Sequence, residues 1–132
     1  MFENVSVKDV LKMVYAGKAV LYDIREEASY KKGHLPTAKH IEEEDVEEEL
    51  RRRERGRNKE VVLAVFYCDY GNRSMRLARK LSEKGYVRIG SMVGGYHAYE
   101  GYVEIKKNAL WTMEWKERAG KEKSVDSQGL DK

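Results

Sequence analysis

The chain holds one cysteine, Cys68, within the stretch FYCDYGNRSM at residues 66–75. A hydrophobic run ends at that thiol, a short polar turn containing Gly71 follows, and an amphipathic stretch then begins. In open α/β sheets, ligands bind beyond the carboxyl ends of the strands, where loops enter helices. Cys68 stands at such a point. Backbone N–H groups of a turn that opens a helix can converge on an anion, and the helix dipole favours negative charge there. A thiolate in that cradle is stabilised, so its pKa falls. Arg73 adds positive charge nearby, and Gly71 permits a backbone conformation closed to most residues. Cys68, Asp69, Tyr70, Gly71, Asn72, Arg73 and Ser74 thus form a candidate nucleophile and anion-binding loop. A buried free cysteine can also be an inert apolar filler. The glycine, the arginine and the following helix argue for the reactive role.

The elements that must hold this loop are legible in the apolar pattern. VVLAVFY at 61–67 lacks polar alternation, as a strand covered on both faces does. Residues 74–84 place Leu77, Ala78 and Leu81 on one helical face and stop at Gly85. Upstream, Ser6–Ala16 predicts a helix with Val7, Val10, Leu11 and Val14 inward, and Ser6 and Asp9 have capping-box spacing. AVLYDI at 19–24 predicts a strand, REEASYKKGH a short helix ended by Gly33, and His40–Ile41 a short strand. The block EEEDVEEELRRRERGRNKE predicts a solvated helix with Glu47–Arg51, Glu48–Arg52 and Glu49–Arg53 pairs. YVRIGSM supplies a further strand, and GGYHAYEGY one or two helical turns. Strands alternating with helices make this an α/β domain with a mostly parallel sheet.

Two regions are expected: a domain over residues 1–105 and a C-terminal extension over 106–132. The extension carries Leu110, Trp111, Met113 and Trp115, with a helix expected over about 108–118 and a disordered tail beyond it. The length suits a single sizeable core. The net charge of +3 is too modest to point to nucleic acid, and no apolar run approaches a membrane span. One cysteine excludes an internal disulfide, and the N-terminus lacks the apolar core of a signal peptide; a reducing, cytoplasmic setting is expected.

Three segments also carry a family likeness. CDYGNRS resembles the C-x-x-G-x-[RST] active-site loop of the rhodanese, or sulfurtransferase, superfamily. YDIREEASYKKGHLPTAKHI resembles that family's upstream signature at Asp23, Arg25, Tyr30, Gly33, His34, Leu35, Pro36 and Ala38. VGGYHAYEGY resembles its downstream segment at Gly94, Gly95, Tyr96, Ala98, Tyr99 and Gly101. The three stand in the family's order with single-domain spacing.

The resemblance implies a rhodanese-like three-layer α/β/α fold with a short five-stranded parallel sheet. It implies that Cys68 takes a sulfane sulfur from thiosulfate or a persulfide and passes it to cyanide, a thiol or a protein acceptor, without metal or organic cofactor. Asp23 and Arg25 are expected at the same sheet edge as the loop, with Asp23 pairing Arg25 or Arg73 in a supporting role. Asp69 is expected to repel dianionic thiosulfate, and Tyr70 to line the mouth. With one cysteine, the sulfur must leave to an external acceptor. The alternatives are a non-catalytic binding or redox-sensing module, which the Trp-bearing extension would serve, and a phosphatase or arsenate reductase. Phosphatases of related loop type use C-x5-R; here Arg73 comes one residue early, and the smaller ring suits sulfur better than phosphate.

Overall fold

The computed structural model describes the backbone of residues 1–55 and 62–125, with side chains to residue 117. The elements run β1 (Glu3–Val5), α1 (Val7–Tyr15), β2 (Ala19–Asp23), α2 (Glu27–Lys32), β3 (Lys39–His40), a 3-10 turn (Glu43–Asp45), α3 (Val46–Glu54), β4 (Leu63–Tyr67), α4 (Asn72–Glu83), β5 (Ile89–Met92) and α5 (Gly95–Val125). The strands form one five-stranded parallel sheet in the order β1-β5-β4-β2-β3. This is the three-layer α/β/α arrangement of the rhodanese-like fold, with the expected five parallel strands.

The central strand explains the sheet. All five residues of β4 are buried, because both faces are covered, as its unbroken apolar run requires. Phe66 and Cys68 face a core built with Tyr22, Val46 and Leu50 of α3, and Leu77, Ala78 and Leu81 of α4. Tyr67 points the other way, where its ring stacks 6.4 Å from that of Tyr96. α1 starts as its sequence dictates: the Asp9 N–H donates to Ser6 Oγ at 3.2 Å.

Three local expectations change. The edge strand β1 has only Val5 buried, so it carries almost no apolar signal. The charge block forms α3 only to Glu54; the rest of the expected helix, residues 56–60, and residue 61, the first of the expected strand, lie outside the described residues. Its ion pairs also differ: Glu47 reaches Lys84, at the end of α4, at 2.7 Å, and Glu49 holds Arg52 of its own helix, three residues on, at 2.7 Å. The helix begun at Gly95 does not stop after one or two turns but runs to Val125, past the end expected near 118. The remainder of the expected tail, 126–132, lies outside the described residues. The chain divides into two compact units, Met1–Tyr99 and Glu100–Lys132. In the second, Leu110, Trp111, Met113 and Trp115 are exposed.

At the carboxyl end of β2, Asp23 and Arg25 are almost wholly buried and form the brace expected of them. Arg25 Nη2 donates to Asp23 Oδ2 at 2.7 Å, its Nε reaches both carboxylate oxygens at 3.1 Å, and its backbone N–H donates to Oδ1 at 2.8 Å. Nη2 also donates to Gly33 O at 2.6 Å. Removing one member of a buried pair leaves the other charge uncompensated. Asp23→Ala should therefore cost about 3–5 kcal/mol in urea unfolding; a loss below about 1 kcal/mol would show that the pair is not the brace described.

Candidate active site

β4 ends at Tyr67, and Cys68 follows as the last buried residue before an exposed turn, Asp69–Tyr70. Gly71 caps α4 with φ +100°, a left-handed conformation that lets the chain reverse directly from strand to helix. The reversal turns the first amides of α4 back toward the thiol. The Gly71 N–H donates to Cys68 Sγ at 3.1 Å and the Ser74 N–H at 3.4 Å. Ser74 Oγ lies 3.5 Å from Sγ on a third side. Burial pushes the thiol pKa up. The Ser74 hydroxyl and the N–H groups of Ser74, Gly71 and Tyr70 outweigh that, and hold it below the ordinary cysteine value. What faces the sulfur is thus a set of neutral donors at a helix N-terminus, which stabilise a negative charge without neutralising it.

A second element holds the loop from behind. The first amides of α5 donate to it: Tyr96 N–H to Cys68 O at 2.8 Å and His97 N–H to Asp69 O at 3.0 Å. Both carbonyls are therefore turned toward α5 while the amides of Gly71 and Ser74 face Sγ. Gly95 has no room for a side chain. A Cβ there would lie 2.5 Å from Cys68 O and 2.7 Å from Asp69 O, and its φ of +62° also favours glycine. Tyr96 then reaches down to the brace, with the Arg25 guanidinium 3.9 Å from its ring centroid and no space left for a Cβ on Gly33 beneath its hydroxyl.

The structure brings together Cys68, Tyr70, Gly71 and Ser74 as expected and separates others. Arg73 does not face the sulfur. Its guanidinium is committed to Glu43, with Nη2 at 2.9 Å and Nε at 3.2 Å, and Nη2 also reaches Ile24 O at 3.4 Å. The reason is helical geometry: one residue before Ser74, its side chain leaves α4 on the side of the 3-10 turn. Asp23 accordingly pairs with Arg25, not Arg73. Asp69 and Asn72 are exposed at the rim, and the exposed Tyr70 ring lies 5.3 Å from that of His97. His34 bonds locally, its Nδ1–H donating to Tyr30 O at 2.8 Å. Sequence reasoning missed Ser91, whose Oγ lies 2.8 Å from Ser74 Oγ, and missed that the amides of Tyr96 and His97 clamp the loop. The two consecutive glycines before Tyr96 were the available signal for the clamp.

Because Gly95 touches the carbonyl of the nucleophile itself, Gly95→Ala should displace the loop as well as strain α5. The expected cost is about 1–3 kcal/mol, the range for overpacking. A slower alkylation of Cys68 in the folded protein should accompany it; unchanged thiol reactivity would sink the clamp.

A model of the Rhodanese-like domain matches residues 6–102. Among solved structures, reduced CoADR-RHD from Bacillus anthracis is 26% identical, with a TM-score of 0.59. That match covers 74% of this chain but 16% of the other, so this chain spans only a small part of that protein. The human single-domain sulfurtransferase TSTD1 is 20% identical, with a TM-score of 0.61, covering 76% of this chain and 97% of that one. A Rhodopseudomonas palustris protein of unknown function, by its name a possible tyrosine phosphatase, is 20% identical at a TM-score of 0.61, covering 76% and 81%. At that identity the last two speak for the fold alone. The family match over residues 6–102, most of the chain, establishes that this chain belongs to the rhodanese-like domain family.

Proposed function

We propose that the protein is a sulfurtransferase that carries a sulfane sulfur on Cys68 as a persulfide. The observation that carries this reading is the sulfur's own setting: two backbone N–H groups and a hydroxyl around Sγ and, among the described residues, no cationic side chain hydrogen-bonded to it. In the first step the Cys68 thiolate attacks the sulfane sulfur of the donor. A bond forms between Sγ and that sulfur, the donor's S–S bond breaks, and its electron pair leaves with the donor fragment. In the second step an acceptor nucleophile attacks the outer sulfur, and the Sγ–S bond breaks with its electron pair returning to Cys68. No net oxidation of the enzyme occurs across the cycle, and the thiolate needs no general base once its pKa is depressed.

The rim favours one class of donor. Asp69 stands exposed beside the nucleophile, and Arg73 is held by Glu43. The mouth thus offers an acid and no free loop cation, which disfavours dianionic thiosulfate and suits a persulfide on a small thiol or a protein. The same disposition counts against phosphate-ester chemistry. That chemistry needs positive charge around a dianion.

Intact mass after incubation with glutathione persulfide should show one added sulfur atom, removed by cyanide and absent in Cys68→Ala. Thiosulfate should load the protein more slowly. Failure of both donors would overturn the reading. Independently, the rate of alkylation by iodoacetamide should reach half its maximum at a pH below that of an unstructured cysteine. The sign follows from the depressed pKa: in the interval between folded and unfolded values only the folded protein is thiolate. A midpoint at or above the unfolded value would contradict the cradle.

A further inference from the structure

Ser91 is a buried polar residue that the reaction just described does not use. It lies on β5 opposite Phe66 of β4, on the sheet face that also bears Cys68. Its Oγ is 2.8 Å from Ser74 Oγ, and among the described residues that hydroxyl is its one side-chain partner. Ser74 Oγ is itself a junction, 2.8 Å from Ser91 Oγ, 3.2 Å from Gly71 O and 3.5 Å from Cys68 Sγ. Ser74 and Ser91 are both almost completely excluded from water.

Each hydroxyl has one proton to give and lone pairs to accept. If Ser74 donated to Ser91, the Ser91 proton would be buried among the described residues with no acceptor, the unfavourable arrangement for a polar group. If Ser91 donates, every group is satisfied. We propose that Ser91 is a positioning residue: it donates to Ser74 Oγ and so leaves the Ser74 proton to be shared between Gly71 O and Cys68 Sγ.

The consequence is a rotor that follows the charge on sulfur. With Cys68 neutral, Ser74 Oγ accepts from both the thiol and Ser91, and gives its own proton to Gly71 O. When the thiol loses its proton, the Ser74 hydroxyl turns to Sγ while Ser91 goes on donating to it. A hydroxyl that is itself accepting a hydrogen bond is a stronger donor, so Ser91 strengthens the Ser74 bond to the thiolate. This inference rests on the persulfide reading for its purpose. When an acceptor takes the outer sulfur, the electron pair of the breaking Sγ–S bond collects on Sγ, and the Ser74 proton meets it there. Ser91 makes Cys68 both a readier nucleophile and a better leaving group without touching sulfur.

The test uses the full chain and the pH dependence of Cys68 alkylation, which requires no sulfur donor and reads one thiol. Ser74→Ala should raise the Cys68 pKa by about one unit, and Ser91→Ala by about half a unit, the scale of one weakened hydrogen bond to a charged group. Ser91→Ala added to Ser74→Ala should raise it no further, because Ser91 acts only through Ser74. Ser91→Thr, which keeps the hydroxyl, should restore the wild-type value. A Ser91→Ala protein with a lowered melting temperature but an unchanged thiol pKa would overturn the proposal. So would additive shifts in the double variant. Sulfur loading of the same proteins by glutathione persulfide is followed separately by mass. A protein that loads no sulfur yet shows the non-additive shift loses the persulfide reading and keeps Ser91 as the positioning residue.

Discussion

One buried guanidinium, that of Arg25, sets the conditions for the rest of the site. A charge taken out of water must be matched on all sides, or the group is expelled or neutralised. Arg25 is matched by Asp23 at the end of β2, by the carbonyl of Gly33 after α2, and by the face of Tyr96 at the start of α5. Those contacts come from three separate stretches of chain. Meeting the needs of one cation therefore fixes the end of β2, the turn after α2 and the first turn of α5 relative to one another. The first turn of α5 in turn holds the carbonyls of Cys68 and Asp69. The brace never contacts the sulfur, yet the loop geometry follows from it. Gly33 and Gly95 are glycines for the same reason: each lies where two of these pieces meet with no space for a Cβ.

The sulfur is governed by a contest between burial and donation. Burial alone would keep Cys68 a neutral thiol. The Ser74 hydroxyl and fixed amide donors reverse that outcome, and the amides are available because α4 begins immediately after the turn, before its first N–H groups have found intrahelical partners. Had a cation been placed against Sγ, the thiolate would have been lower still in pKa but a poorer nucleophile and a site more attractive to dianions. Diverting Arg73 to Glu43 leaves a thiolate that is stabilised but not neutralised.

How much of this could be read from the chain depended on the range of the interaction. β4 announced itself because a strand buried on both faces needs an unbroken apolar run. The Ser6 cap, the stop at Gly33 and the helix after Cys68 were likewise local. β1 escaped notice because three residues with a single buried side chain carry no period. The length of α5 was hidden because Gly101 and a mixed charge pattern read as an ending. Within the site, Cys68, Gly71 and the helix that follows them were enough to expect an amide cradle, but the positive charge expected from Arg73 goes to Glu43 instead. The partner of Arg73 was not legible: Glu43 lies thirty residues away in sequence, and only the placement of the 3-10 turn beside α4 brings the two together. Ser91 was invisible for the same reason, since a serine within IGSM has no signature until the sheet sets β5 next to β4.

The short spacing from Cys68 to Arg73 now has a physical account. A loop with one more residue would carry the arginine a further step along the first turn of α4, to the position that Ser74 occupies. That position faces Sγ, and a fully buried hydroxyl occupies it. An arginine there would have to bring its charge into the ring and open it, which suits a tetrahedral dianion. A serine closes the ring around one atom and supplies a proton that can be offered or withdrawn by rotation. The first turn of α4 thus presents to the thiolate a hydroxyl and not a cation.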